Sequence, residues 1–172
     1  MAQVAFCSPR SSEIWGKATD LGVTAFEDAK WVYLALRHAN IPVDVQMEEG
    51  LVVQGDRAAL VQAVGNLLSN AWKYTPTEGR RIAVSAAADL KHVYISVIDN
   101  GLGISVSEQE LIFDKFQRGA AARERGGPGS GLGLALVRAI VAAHDGSIDV
   151  QSKLDHGATF RIVLPRSLPE PA

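Results

Sequence analysis

The chain has few of the features that would commit it to a class. Cys7 is its only cysteine, which excludes an internal disulfide and a cysteine-built zinc site and suits a reducing compartment. No apolar run approaches the ~20 residues of a membrane helix. The best candidate, residues 132–143, is short and is broken by Arg138. The N-terminus does not have the basic-then-apolar order of a secretory signal. The net charge is only −2 and the pI is about 6.1, so no global basic field draws in nucleic acid or anionic lipid. No segment repeats. The expectation is a cytoplasmic domain that binds no nucleic acid and makes no direct membrane contact. An anchor elsewhere in a parent protein would leave no trace in these residues.

What is present suffices for one domain. The 172 residues are 47% apolar and 21% charged, enough for a core and inconsistent with a mainly disordered chain. Residues 1–26 are read as an N-terminal segment, partly flexible or a remnant of a linker. Residues 27–165 are read as the folded domain, and the proline-rich residues 166–172 as a disordered tail. From Glu27 to Asn40, Trp31, Leu34 and Ala35 recur at helical spacing, and Ile-Pro closes the segment. Val43–Met47 and Leu51–Gln54 read as short strands. Asp56 reads as the N-cap of a helix to about Lys73 whose core stripe is Leu60, Val64, Leu67 and Ala71. Residues 81–87 and 92–98 read as paired strands, 101–133 as mostly loop, and 132–144 as a helix ended at Gly146. Residues 147–152 and 158–164 close the domain as a hairpin. Without regular βαβ spacing, this order predicts an α/β (α+β) two-layer sandwich. Its sheet is mixed and mostly antiparallel, with the helices packed on one face.

Four segments carry chemistry: Asn66-Leu-Leu-Ser-Asn70-Ala-Trp-Lys73-Tyr74, Asp99-Asn-Gly101-Leu-Gly103, Phe113-Asp-Lys-Phe116, and Gly127-Pro-Gly129-Ser-Gly131-Leu-Gly133. Asn66, Asn70 and Lys73 share one face of their helix. Asparagine is a poor mid-helix residue, so the stripe is either a solvated face or a set of ligands. Amide oxygens can complete the shell of a Mg²⁺ whose charge is met by phosphates, and Lys73 can place a point charge on those phosphates. Tyr74 is a core tyrosine or a stacking surface for a purine. Asp99 ends a strand beside two glycines. It is either part of an ordinary Asp-Asn-Gly turn or a carboxylate that accepts from an adenine amino group while backbone approaches the ring.

Backbone N–H groups around Gly131–Leu134 can face an anion at a helix start. A Walker loop needs a terminal Gly-Lys-Ser/Thr, which is missing, and a dinucleotide fingerprint needs a strand before its glycines, where Ala-Ala-Arg-Glu-Arg stands instead. Phe113 and Phe116 interrupt a polar stretch. They either pin a loop or dock a lid whose glycine ends bend, with Arg118 then able to reach a γ-phosphate.

In this order the motifs resemble the ATP-binding catalytic domain of two-component sensor histidine kinases, within the superfamily shared with gyrase and mismatch-repair ATPases. Asn66-x-x-x-Asn70-x-x-Lys73-Tyr74 is similar to the asparagine box, and Asp99-x-Gly101-x-Gly103 to the first glycine box. Phe113-x-x-Phe116-x-Arg118 is similar to the phenylalanine box, Gly129-x-Gly131-Leu-Gly133-Leu to the second glycine box, and Gly157-Ala-Thr159-Phe160 to the terminal box. The resemblance covers residues 27–165. It implies ATP and Mg²⁺ as cofactors, with Mg²⁺ on Asn70, adenine on Asp99 with Gly101 and Gly103, and stacking near Tyr74. It places phosphates near Lys73 and the loop Gly129, Ser130, Gly131, Leu132, Gly133 and Leu134. Thr159 is implied to help hold the aspartate and an adenine-bound water. Asn66 stands where the hydrolysing relatives place a glutamate base, and an amide cannot take a proton from water.

Asn66, Lys73 and Arg118 are the candidate catalytic residues. The resemblance implies transfer of the γ-phosphoryl group to a histidine on a separate helical dimerisation and phosphoacceptor domain, with a response regulator downstream. The chain departs from a complete kinase of this kind in one respect. None of His38, His92, His144 and His156 is followed by both the acid and the proline of a phosphoacceptor segment. The alternatives are a serine kinase of the anti-sigma-factor type and a nucleotide-binding scaffold without transfer. Trp72 is either core or a contact for the helical domain.

Overall fold

The computed structural model describes residues 25–26, 35, 38–39, 42–117 and 130–167. The described strands are β1 (Ala25–Phe26), β2 (Asp44–Met47), β3 (Val53–Gln54), β4 (Ile82–Ala88), β5 (His92–Asp99), β6 (Ser147–Ser152) and β7 (Ala158–Pro165). The described helices are α1 (Arg57–Tyr74) and α2 (Gly133–Ala142). Ala35 and His38–Ala39 are helical. The rest of the helix expected over 27–40, Trp31 and Leu34 included, lies outside the described residues.

Five strands form a mixed sheet in the order β2-β4-β5-β7-β6, parallel only between β2 and β4. This is the expected two-layer architecture. β1 pairs antiparallel with β3 in a separate two-stranded ribbon. The two-residue alternation of the strands decides the faces. Ile82, Val84 and Ala86 of β4, Val93, Ile95 and Val97 of β5, and Phe160, Ile162 and Leu164 of β7 are buried on one face. They meet in register, Val84 opposite Val97 and Val97 opposite Phe160. The helices cover this face.

Asp56 caps α1 as the sequence predicts, its Oδ1 accepting from the amides of Ala58 (2.8 Å) and Ala59 (3.1 Å). Leu60, Val64, Leu67 and Ala71 are buried along one stripe, joined by Ala63 and Leu68. Burying each leucine or valine of that stripe contributes about 1.5–3 kcal/mol, so packing rather than propensity holds a helix that carries two asparagines and Gly65. Its hydrophilic side is thereby left for other work.

His144, just past α2, fastens the two helices. Its Nε2 accepts the Asp56 amide at 2.9 Å, and its Nδ1 lies 2.7 Å from the Ile140 carbonyl. The Ile140 carbonyl accepts, so Nδ1 carries the proton and Nε2 is free to accept. A Cβ at Gly55 would overlap the imidazole ring. This histidine is structural. His144→Ala is expected to lower unfolding stability by about 1 kcal/mol in urea titrations, with nucleotide affinity little changed.

Candidate functional site

The site lies along the polar face of α1. At one end Asn66 meets the start of α2, its Oδ1 3.8 Å from where a Cβ on Gly133 would stand. The Asn66 Nδ2 is buried without a hydrogen-bond partner. Among the described residues no side chain caps α2; the Ser130 hydroxyl accepts from the Leu132 amide at 3.3 Å. With no described side chain bonded to them, the first amides of α2 lie at the positive end of a helix dipole. Asn70 is half-buried one turn further along α1. Lys73 lies in the last turn with its Nζ 5.1 Å from the centre of the Tyr74 ring. Leu134 is half-buried against the core, whereas Leu132 is exposed.

At the C-terminal end of α1 stands a half-buried carboxylate. Asp99 is the last residue of β5 and follows Val93, Ile95 and Val97 on the helix-covered face, half-buried at its edge. Its Oδ1 accepts the Gly101 amide at 2.8 Å. Burial raises its pKa above the usual 3.8, against the opposing pull of the Gly101 and Ala158 amides and the Thr75 side chain. Gly101 is there for space, since a methyl at this position would lie 2.6 Å from the Tyr74 carbonyl oxygen and 2.8 Å from Asp99 Oδ1. Gly103 has φ +69°, and a Cβ on it would overlap the Lys153 carbonyl. Its role is to pack against a hairpin as well as to bend the loop.

The turn that carries the carboxylate is held from three sides. The Leu102 amide donates to the Tyr74 carbonyl (3.3 Å), joining it to the end of α1. Asn100 accepts from the Arg81 amide (2.7 Å) and donates to the Gly79 carbonyl (2.8 Å). The Leu102 carbonyl accepts the Asp155 amide at 2.7 Å from the β6–β7 hairpin.

Among the described residues the structure thus brings together Tyr74, Asp99, Gly101 and Gly103 at the C-terminal end of α1, and Asn66 with Gly133 near its middle. Thr159 is not brought to the carboxylate. It pairs with Ile98, while Ala158 pairs with Asp99. Strand alternation therefore turns the Ala158 side chain to the face of Asp99 and the Thr159 side chain to the opposite face, so Thr159 cannot hold the carboxylate. The two phenylalanines also separate. Phe113 is buried and meets Phe160 edge-on, ring centres 6.3 Å apart, whereas Phe116 is 73% exposed at φ 66°. The expectation that both aromatics dock on the body therefore holds for Phe113 alone. Arg118 and Gly129 lie outside the described residues. Trp72 is 40% exposed and its ring carries the Arg80 guanidinium at 3.8 Å, which makes it a surface residue rather than core.

Sequence reasoning missed Thr75. It is the C-cap of α1 and the one buried polar residue among those described, 2% exposed, and its hydroxyl makes no well-aligned hydrogen bond although it acts on Asp99. The signal available was small, a hydroxyl residue immediately after a motif ending in Lys73-Tyr74.

Known proteins share this arrangement. The family model described as histidine kinase-, DNA gyrase B-, and HSP90-like ATPase matches residues 55–168. The sensor-like histidine kinase SenX3 of Mycobacterium tuberculosis is 42% identical over 132 residues, which cover 77% of this chain and 32% of SenX3. The chain thus spans about a third of that relative's length. Among solved structures, a mycobacterial sensor histidine kinase MprB superposes with a TM-score of 0.72 at 32% identity, over 84% of this chain and 98% of that one. The catalytic domain of histidine kinase ThkA, nucleotide free, superposes with a TM-score of 0.70 at 25% identity, over 86% and 100%. The family match takes in both ends of the polar face of α1 and the turn that faces it, and by that measure the chain belongs to the histidine kinase-, DNA gyrase B- and HSP90-like ATPases.

Proposed function

We propose that residues 27–165 form the ATP-binding catalytic domain of a sensor histidine kinase. This domain transfers the γ-phosphoryl group of ATP to a histidine on a separate helical dimerisation and phosphoacceptor domain, in the cytoplasm, with a response regulator receiving the group afterwards. One observation carries the reading: a single face of α1 runs from the start of α2 at Gly133, uncapped among the described residues, to a half-buried carboxylate at Asp99. Asn66 and Thr75 mark the two ends, separated by about 13 Å of helix, a span that takes a purine at one end and phosphates at the other.

The residues present fit a nucleotide. The Asn66 amide and the Thr75 hydroxyl are buried polar groups without a well-aligned partner, and the Thr75 hydroxyl and the Asp99 carboxylate flank one small space beside Gly101. Asp99 accepts the exocyclic amine of adenine. The first amides of α2, with Gly131 and Gly133, bind phosphate oxygens, helped by Lys73 and by Arg118 and Gly129 of the loop.

Asn70 would hold Mg²⁺. Among the described residues no cluster of three His, Cys, Asp or Glu side chains offers a site of its own, so the ion's charge would be balanced by the triphosphate. The metal would neutralise charge on the transferring group. Asn66 cannot act as a base toward water, so the phosphoryl group is kept for a protein acceptor, whose own domain supplies the nucleophile.

The reading is tested by incubating the chain with γ-labelled ATP and the cognate helical domain. Label on that domain that is labile in acid and stable in base supports histidine transfer. Acid-stable label points to serine transfer, and binding without label points to a scaffold. Asn70→Ala should leave the circular dichroism spectrum intact. It should abolish the gain in ATP affinity that Mg²⁺ confers, read by calorimetry with magnesium and with EDTA. An unchanged magnesium dependence would remove Asn70 from the metal site.

A further inference from the structure

Thr75 has no place in the motif that led to this site, yet it is the most deeply buried polar side chain at its carboxylate end. The hydroxyl is enclosed and makes no well-aligned hydrogen bond, although it lies close enough to Asp99 to pull the carboxyl's pKa down. A buried hydroxyl left without a partner is costly, and the cost is tolerated where the group acts in a bound state. Its surroundings limit what that action can be. A single methyl placed on Gly101 would stand 2.8 Å from Asp99 Oδ1 and 3.1 Å from Thr75 Oγ1, so carboxylate and hydroxyl flank the same small space. The Thr75 backbone is fixed, its amide donating to the Ala71 carbonyl (3.1 Å) and its carbonyl accepting from Arg80 (2.8 Å). These bonds hold the Thr75 backbone beside the carboxylate.

We infer that Thr75 is a positioning residue for Asp99: its hydroxyl donates to the carboxylate in the nucleotide complex and holds it as the acceptor that a purine's exocyclic amine requires. The inference rests on the adenine assignment to Asp99 and adds the residue that supports it. The groups that act on the carboxylate are Thr75 from the end of α1, the Gly101 amide from the turn and the Ala158 amide from β7. No charged side chain among the described residues perturbs it. Burial disfavours its charged form, and each of these donors restores it. Removing the hydroxyl removes one donor and leaves the burial unchanged, so the carboxylate stays protonated to higher pH.

The test is calorimetric titration of the full chain with magnesium-ATP, and with magnesium-GTP as control, across the acid range. Thr75→Val keeps the volume and the backbone bonds and deletes the donor. It is expected to weaken ATP binding about tenfold, to move the acid limb of the affinity profile to higher pH and to narrow the preference for ATP over GTP. Thr75→Ser should restore all three. A residue that merely caps α1 would alter the unfolding temperature without moving the acid limb. Should Thr75→Val prove unfolded by circular dichroism, Thr75→Ala compared with Thr75→Ser makes the same comparison without added apolar bulk. The inference is overturned if the hydroxyl-less variants keep wild-type affinity and pH profile while Asp99→Asn weakens binding, which would leave the pocket standing. If Asp99→Asn has no effect either, the adenine assignment falls and takes the inference with it.

Discussion

Asp99→Asn is expected to weaken ATP binding by roughly ten- to a hundredfold, the loss that accompanies removal of a hydrogen bond to a charged group. The substitution keeps the shape and reverses half the chemistry. The carboxylate is acceptor-only and already faces the Gly101 amide at 2.8 Å, so an asparagine must turn its oxygen there. Its NH₂ is then left toward the remaining donors, where an adenine amino group would meet a second donor instead of an acceptor. Stability should move the other way or hardly at all, because the neutral amide escapes the desolvation that raises the acid's pKa.

The pH dependences carry opposite signs and separate these effects. A carboxyl whose folded-state pKa is raised binds its proton more tightly when folded. Its contribution to stability is therefore present below the unfolded value of 3.8 and is lost as pH rises through the raised pKa. Nucleotide affinity, which needs the ionised acceptor, should fall as pH drops through the same point. Asp99→Asn should flatten both limbs. Equal dissociation constants for wild type and variant at neutral pH would show that the purine does not reach this carboxylate.

The parts of the site that were legible in the sequence are those encoded by local periodicity. Asp56 before an apolar stripe announces a cap and a helix, and Asn66, Asn70 and Lys73 fall on one face because 3.6 residues make a turn. Asp99 lies at the strand end that the β-branched run before it implies. Where reading stopped at the motif, it went wrong. The motif places Thr159 at the carboxylate, although the alternation Ala158, Phe160, Ile162, Leu164 already turns Thr159 to the opposite face. Phe116 was paired with Phe113 by spacing, but a residue at φ 66° in a turn does not share its neighbour's face.

Other features have no local signal at all. The β1–β3 ribbon pairs residues far apart in sequence; the short strand at 51–54 is legible, but nothing beside it names Ala25–Phe26 as its partner. Arg80 over Trp72 is likewise a contact across a turn, and that turn's conformation follows from what packs around it. The burial of Thr75 follows from where α1 ends against the 99–103 turn. The glycines were recognised, but the reason for them was only partly right. Gly101 and Gly103 were read as room for a ligand. The structure adds that protein backbone occupies that room from the other side, the Tyr74 carbonyl against Gly101 and the Lys153 carbonyl against Gly103.

That second reason makes Gly157→Ala, like Gly103→Ala, among the most damaging single methyls expected in the described structure. Gly157 precedes β7 at φ +79°, and a Cβ on it would overlap the Asp99 carbonyl oxygen and lie 2.8 Å from the Asn100 Cα. Both obstacles are backbone, so no side chain can rotate away. The left-handed conformation costs a non-glycine residue about 1–2 kcal/mol, and forcing apart a packed contact adds about 1–3 kcal/mol. Together these consume a large share of the roughly 5–15 kcal/mol that holds an ordinary domain together. The damage should also be directed at the site. The Gly157 carbonyl accepts from Ser152 Oγ at 2.6 Å, and Ser152 Oγ in turn accepts the Ile104 amide at 2.8 Å. Displacing Gly157 therefore pulls on the loop beyond Gly103 as well as on Asp99.

The expected result is a urea midpoint lowered by several kcal/mol equivalent, together with loss of ATP binding under conditions where the variant is still folded. Gly79→Ala separates the two causes, because Gly79 has φ +67° with nothing within 4 Å of its missing Cβ. It should show the conformational cost of about 1 kcal/mol alone and bind ATP normally. If the two variants lose the same stability, the hairpin does not press on the Asp99 backbone as the geometry requires. The clamp that fixes the carboxylate must then be sought at the α1 side of the turn, in the bonds of Asn100 and Leu102.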